Sequence, residues 1–248
     1  MKTSGVISAI SRAVDRSAPN SGRRARRPSR ERGQVRFQLL LQATEALLLE
    51  RNPDAVGLYQ IAERAGVPPA SVYHFFPTKN AALLALAEQY HTDIRALVNA
   101  PFPAARLLSW QDLLIIRHER AVEYYNAHLA AAKIFLGVHP SWEIHQADKA
   151  YNHAASESLF TYFDRFFQMP YVQDPRAKFE VTYSIADAIW SISFERVGAI
   201  TPQYFEEAVT ACTAYCRSFL PDRVPPRDSV VAAAACGELL TLNTQTGS

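Results

Sequence analysis

The sequence predicts an all-α fold: an N-terminal three-helix helix-turn-helix unit followed by a larger helical bundle. Three observations predict it. Apolar residues recur at helical spacing through most of the 248 residues, and no segment alternates with period two for long enough to read as a strand. Residues 61–88 read IAERAGVPPASVYHFFPTKNAALLALAE, a short helix, a glycine turn, a second short helix and a newly capped third. Charge is uneven as well. Residues 1–90 hold 13 Lys+Arg against 7 Asp+Glu, whereas the remainder holds 13 against 17, so the net +2 hides a basic N-terminal third. A chain that meets a polyanion at one end has this asymmetry.

Residues 1–28 contain Ser, Arg and Pro without a long apolar period and predict a flexible basic arm. Six arginines crowd its end and the start of the first helix: Arg23, Arg24, Arg26, Arg27, Arg30 and Arg32. Contact with phosphates or a minor groove is one reading of them, a solvated tail the other. The first helix is expected from about Ser29 to Arg51, with Leu40, Ala43, Leu47 and Leu48 on its buried face. Asn52 suits a left-handed position after it, and Pro53 blocks continuation. The helix-turn-helix domain then spans 29–78. A helical domain over 79–220 follows, and a loosely held tail over 221–248.

Inside the unit, Ile61 and Ala62 are expected as core contacts and Val67 as the plug between the helices. Gly66 occupies the turn, where a positive φ carries no Cβ penalty. Pro68 and Pro69 open the second helix. Val72, Phe75 and Phe76 fall on one face and pack inward; Ala70, Ser71 and His74 fall on the opposite face. Small and polar side chains of that kind let a helix lie close to base edges. Tyr73 lies between the faces with its hydroxyl free for a phosphate. Thr78 caps the next helix and Lys79 brings a charge to its start. An ordinary three-helix corner is the competing reading, but it leaves the small, polar outward face unexplained.

Ile61-Ala62, Ala65-Gly66-Val67, Val72-Tyr73, Phe76, Thr78-Lys79 and Leu83, with Leu40, Leu41 and Ala43 upstream, resemble the tetracycline-repressor (TetR) family of bacterial regulators over roughly residues 36–88. The resemblance implies an N-terminal DNA-binding domain, a C-terminal ligand-binding and dimerisation domain, and a homodimer. It implies that Pro69, Ala70, Ser71, Tyr73, His74, Thr78 and Lys79 form the DNA-binding surface, and that double-stranded operator DNA is the partner. Three positions depart from the family pattern: Gly57 where a hydroxyl residue usually opens the helix, Pro68 where Ser is frequent, and Phe75 where His is common.

The bulk composition excludes other classes. No apolar run is long enough for a transmembrane helix, and the basic N-terminus lacks the apolar stretch of a secretory signal. Three cysteines without metal-ligand spacing suit a reducing cytoplasm. Cys212 and Cys216 share a helix face and read as packed thiols, a redox or metal role being the alternative. No nucleophile motif, zinc-protease motif or phosphate loop is present, so no catalytic residue is expected and an enzyme is the remote alternative. His145 and His153 stand too far apart on a helix to chelate one ion, so neither a metal nor a cofactor is expected.

Further helices are expected over Trp110–Asn126, Ala127–Leu136, Trp142–Gln168, 175–199 and 202–219, with a break at 137–141 and a short helix within 229–240. Residues 100–200 are rich in Tyr, Trp and Phe, too many with polar tips for a purely apolar core. Trp110, His118, Tyr125, His128 and Asp187 are therefore the candidate polar groups of a cavity for a mostly apolar or aromatic small molecule. The family resemblance implies that the last two helices build the dimer interface, with Ala188 and Ile192 on one and Ala208, Cys212 and Tyr215 on the next as candidate contacts, and the small residues there suit close helix approach. The expected function is a ligand-responsive repressor. An activator or a ligand-independent DNA-binding factor is the alternative.

Overall fold

The computed structural model describes residues 24–137 and 142–241, which form ten α-helices and one two-stranded ribbon. The N-terminal unit comprises α1 (Glu31–Glu50), α2 (Leu58–Ala65) and α3 (Pro69–Phe75). A long α4 (Lys79–Val98) leads out of it. The bundle continues with α5 (Trp110–Ala127), α6 (Leu129–Phe135), α7 (Trp142–Phe166), α8 (Pro175–Val197) and α9 (Pro202–Cys216), and closes with α10 (Asp228–Ala235). Helix α1 and helices α5 to α9 agree with the periodicity reading to within about three residues.

Local chemistry accounts for the helix ends. Ser109 and Asp112 form a reciprocal cap at the start of α5: the Asp112 carboxylate accepts the Ser109 N–H at 2.7 Å, and Ser109 Oγ accepts the Asp112 N–H at 3.4 Å. Asp174 caps α8 by accepting the Ala177 N–H at 3.3 Å. Lys133 on α6 donates to the carbonyls of Leu48 and Leu49 at 2.6 and 3.2 Å, tying the bundle to the C-terminal end of α1. Asn52 is extended (φ −73°) and not left-handed. The proline that follows it disfavours helical conformations at the preceding residue.

Apolar burial falls into two clusters. One runs from Phe37 and Leu40 on α1 through Phe76, Leu83 and Tyr90 to Tyr125, Phe135 and Trp190, so the helix-turn-helix and the near half of the bundle share a core. The other, at the far end, packs Trp110, Phe163, Phe167 and Phe179 with Leu220 and Val230. Helix α8 lies between α7 and α9, and α4 packs on α1, α5 and α7.

Over 221–241, the described part of the tail expected over 221–248, the segment is docked and not loosely held. Val224, Val230, Ala233 and Leu240 are buried in the far cluster. Leu239-Leu240 pairs antiparallel with Phe102-Pro103, a ribbon that no alternating pattern announces because each strand is two residues long. Gln168 donates its N–H to Pro225 O and Arg227 to Phe166 O, at 2.8 and 2.9 Å. Residues 242–248, 138–141 and 1–23, Arg23 included, lie outside the described residues. Among the described residues no helix is long and apolar enough to cross a membrane.

Candidate nucleic-acid interface and internal cavity

Gly66 ends α2 in the left-handed region (φ 64°, ψ 32°), and Val67 donates its N–H back to Ala62 O at 3.1 Å. This turn sets α3 across α2. Ile61, Ala62, Val72 and Phe76 are at most 1% exposed, so the inward face is the one the sequence predicts. Phe75 is also buried and meets the Phe37 ring edge-on at 5.9 Å, while Phe76 packs on the same ring at 5.1 Å. Phe75 therefore anchors α3 to α1 and does not reach the surface.

The opposite face is open. Pro69, Ala70, Tyr73, His74 and Thr78 are exposed, and Ser71 and Lys79 are half-buried. Thr78 Oγ1 accepts the Ala81 N–H at 3.1 Å and caps α4. Lys79 Nζ donates to the Asp54 carbonyl at 3.0 Å, so the lysine is held over the turn before α2. At Gly57, Gln60 Oε1 accepts the backbone N–H at 3.0 Å, the half of a reciprocal cap that needs no hydroxyl at position 57, and no side chain at Gly57 caps the first turn of α2. Pro68 offers α3 no side-chain cap.

The arm adds a feature that sequence reasoning leaves unplaced. Arg26 donates its backbone N–H to Phe75 O at 2.8 Å, Ala25 packs on the core, and Arg27 pairs with Glu88 at 2.6 Å. The arm is thereby fastened beside the C-terminal end of α3, with Arg24, Arg26, Arg30 and Arg32 exposed around it.

Inside the bundle, α4, α5, α7 and α8 border about 540 Å³ of unfilled space, its open mouth included. Three expected residues line it, His118, Tyr125 and Asp187, together with Arg117, Tyr151 and Trp190, which the sequence does not single out. His118 Nδ1 donates to Leu114 O at 2.6 Å, and burial pushes the imidazole down to about 4, so it is neutral with Nε2 as an acceptor. Asn152 Nδ2 donates to Asp187 Oδ2 at 2.8 Å. Burial, reinforced by Asp148, raises the Asp187 carboxyl to about 7 despite that bond. Burial likewise holds the Tyr125 and Tyr151 phenols well above their ordinary range.

Two expected residues stand elsewhere. Trp110 is fully buried in the far cluster, and its indole N–H donates to Pro221 O at 3.0 Å, a partner supplied by the docked C-terminal segment. His128 is exposed at the α5–α6 junction, stacked on Tyr124 at 4.2 Å with Nδ1 donating to Tyr124 O. Arg117 is easily overlooked in the sequence because charged residues are usually solvated. Its spacing, four after Leu113 and four before Ala121, is the signal that sets it on the buried face.

An aromatic stack beside this space ties α4 to α6 and α7. The His91 ring of α4 lies between Tyr151 at 4.2 Å and Phe135 of α6 at 4.4 Å, and His91 Nε2 sits 3.4 Å from Asp148. On α8, Val181, Ala188 and Ile192 form an exposed stripe. Ala208 and Cys212 correct the expected dimer set: both are 0% exposed on the inward side of α9, where Cys212 donates to Thr182 O at 3.3 Å. Their own chain covers them. Tyr215 is half-buried. Cys212 and Cys216 are buried free thiols raised to about 12 and 11 by burial.

Residues 40–86 match the family model described as bacterial regulatory proteins, tetR family. A comparison with curated proteins finds no match. Among solved structures, a TetR-family transcriptional regulator from Streptomyces coelicolor is 23% identical (TM-score 0.53), with 75% of this chain and 98% of that one covered. SmeT, the repressor of the Stenotrophomonas maltophilia multidrug efflux pump SmeDEF, is 17% identical (TM-score 0.54), with 81% and 95% covered. A TetR transcriptional regulator from Rhodococcus sp. RHA1 is 16% identical (TM-score 0.54), with 75% and 97% covered. At these identities the likeness shows a shared fold, while the stretch matched by the family model is the helix-turn-helix itself. Residues 40–86 thus carry the helix-turn-helix of the tetR family of bacterial regulatory proteins, and the chain as a whole shares the fold of TetR-family regulators.

Proposed function

We propose that this regulator is a repressor that binds a palindromic operator as a homodimer and is released when a small, mostly apolar molecule fills the bundle cavity. The observation that carries the reading is the position of α4. This helix begins at Lys79 beside α3 and lines the cavity with Ile94 and Val98 at its other end. Pro69, Ala70, Ser71 and His74 face base edges, and Tyr73 and Lys79 flank them toward the phosphates, with Thr78 capping α4 beside Lys79. The exposed α8 stripe at Val181, Ala188 and Ile192 is the surface offered to the second copy, with the half-buried Tyr215 on the neighbouring α9 as a further candidate.

In a dimer the two α3 helices must sit about one DNA turn apart, ~34–36 Å, to read two half-sites. A ligand that favours another separation draws the population away from DNA. The His91 stack and the Lys133 bond to α1 are the physical links by which a moved α4 or α6 shifts the N-terminal unit. A coupling of about 1–3 kcal/mol changes operator affinity roughly 5–150-fold. SmeT, which shares the fold, is the repressor of an efflux pump, and this favours repression over activation.

The test is a gel shift of the full chain on DNA flanking its own gene, over a salt series. Salt-dependent binding to a palindrome at two chains per site is expected. Absence of binding to every such fragment sinks the reading. A chain that binds DNA but never changes affinity with any compound seating in the cavity is a ligand-independent factor instead.

A further inference from the structure

We propose that the cavity takes an anionic effector with an apolar body, its carboxylate gripped side-on by Arg117. This rests on the effector reading above and adds the ligand's charge to it.

Arg117 is 5% exposed, and it lines the cavity. Its Nη1 donates to Asn99 Oδ1 at 2.8 Å and to Val98 O at 3.4 Å, and Nη2 donates to the Tyr183 hydroxyl at 2.9 Å. All three acceptors are neutral. The Tyr162 ring lies under the guanidinium at 5.1 Å and is neutral too. Among the described residues no carboxylate comes within 4.0 Å of it. A buried cation without a counter-charge is costly, which is why buried charges are almost always paired.

A purely structural role accounts for part of this. Arg117 and Arg120 both donate to Val98 O, at 3.4 Å each, and so cap the C-terminal end of α4. The helix end supplies about half an elementary charge of compensation. Two guanidiniums share that half charge and repel each other. The excess positive charge remains.

Donor geometry narrows the ligand. An arginine has five N–H bonds, and three of these are used. Nε is buried with no partner, and one hydrogen on Nη2 is left over. Nε and Nη2 form one edge of the guanidinium, the edge that meets the two oxygens of a carboxylate with parallel bonds. Trp190 Nε1, a second unpartnered buried donor, belongs to another wall of the same cavity. Two orphaned donors on residues of one cavity call for acceptor oxygens.

Asp187 does not supply the missing anion. Its oxygen is bound by Asn152 at 2.8 Å, and its charge answers to burial and to Asp148. The remaining lining, Ile94, Leu114, Ala121, Leu159 and the rings of Tyr125 and Tyr151, is apolar enough to seat an aromatic or branched aliphatic body.

The experiment compares 4-phenylbutyrate, 4-phenylbutanol and 4-phenylbutylamine, one body with three head groups, by calorimetry and thermal shift on the full chain. The carboxylate is expected to bind about tenfold tighter than the alcohol, the gain typical of a charge-assisted pair, and the amine weakest. Arg117→Gln should erase the difference between acid and alcohol while leaving the alcohol bound. Should that variant fail to fold, the head-group order on the wild-type chain decides alone. Equal or tighter binding of the alcohol or amine overturns the anionic assignment and leaves the cavity standing as an effector site. Absence of binding by all three overturns the effector site together with it.

Discussion

The helix-turn-helix and the cavity handle polar groups in opposite ways. Between Leu58 and Thr78 no polar side chain is buried, and no side-chain nitrogen or oxygen there is cut off from both solvent and a partner. The cavity turns Arg117, His118, Asp187 and Trp190 inward and leaves two of their donors unpaired. The first region is complete without any partner, so it is a rigid platform whose shape a ligand need not build. The second is unfinished without one, and binding there has free energy to give to a change of shape.

Phe76 puts that contrast to its hardest test. The ring is 0% exposed and packs on Phe37 at 5.1 Å, bridging α1 and the end of α3. Phe76→Ala should cost about 3–5 kcal/mol in chemical denaturation and abolish DNA binding. Phe163→Ala, equally buried in the far cluster, should cost a similar amount yet leave operator affinity within a few-fold at low temperature. If both variants lose DNA binding alike, the two regions are one cooperative body and the contrast between platform and cavity fails.

A smaller effect is expected at Asp187. Its folded-state value, about 7, lies above the ordinary 3.8, so the folded chain holds a proton that the unfolded chain has released between those values. Stability therefore falls as pH rises from about 4 to 7 and is flat above. Asp148, Asn152, Tyr125, His118, Arg117 and Cys212 are the groups to consider around it. His118 acts the other way: lowered to about 4, it costs stability as pH falls below its ordinary 6.5. Asp187→Asn keeps an acceptor for Asn152 and cannot ionise. It should raise stability on the order of 2 kcal/mol at pH 8, allowing for partial screening, and little at pH 4. An unchanged pH profile of melting temperature would remove Asp187 from the account of the cavity.

The same difference governs what the sequence discloses. The helix-turn-helix is written in about 20 consecutive residues. Its turn at Gly66, its inward Val72 and Phe76 and its Thr78 cap are local facts that spacing alone conveys. The cavity draws on α4, α5, α7 and α8, and only the tertiary arrangement says which inward residues meet. His118 and Tyr125 lie a helical heptad apart on α5 and are legible together. Trp110 lies on the same helix, but its N–H is claimed by Pro221 in a segment more than a hundred residues on. No local signal marks that partner. Arg117 is hidden for a physical reason too, since a charged side chain is placed in solvent by default and its apolar spacing is read only afterwards.

Lys79 probes the platform alone. If it meets a phosphate, Lys79→Ala should lower the slope of log affinity against log salt by about 0.9 and weaken operator and random DNA to the same degree, roughly tenfold. Ser71→Ala should leave the slope unchanged and alter base preference only. A normal slope in Lys79→Ala would confine the lysine to its bond with the Asp54 carbonyl.

The smallest expected effect lies at Gly66, and it separates backbone from packing. A Cβ built there meets nothing within 4 Å, so an added methyl group clashes with no neighbour. The backbone is left-handed at φ 64°, where an L side chain costs about 1 kcal/mol or a little more. Gly66→Ala should therefore destabilise the chain by about that amount, with native helix content and operator specificity retained, because the turn keeps its shape and only its conformational preference is opposed. Gly66→Asn should recover part of the loss, since asparagine tolerates this region better than alanine. A loss several times larger in Gly66→Ala would mean that α3 is held across α2 by the turn itself more than by Val72 and Phe76, and the platform would then be less rigid than its packed core implies.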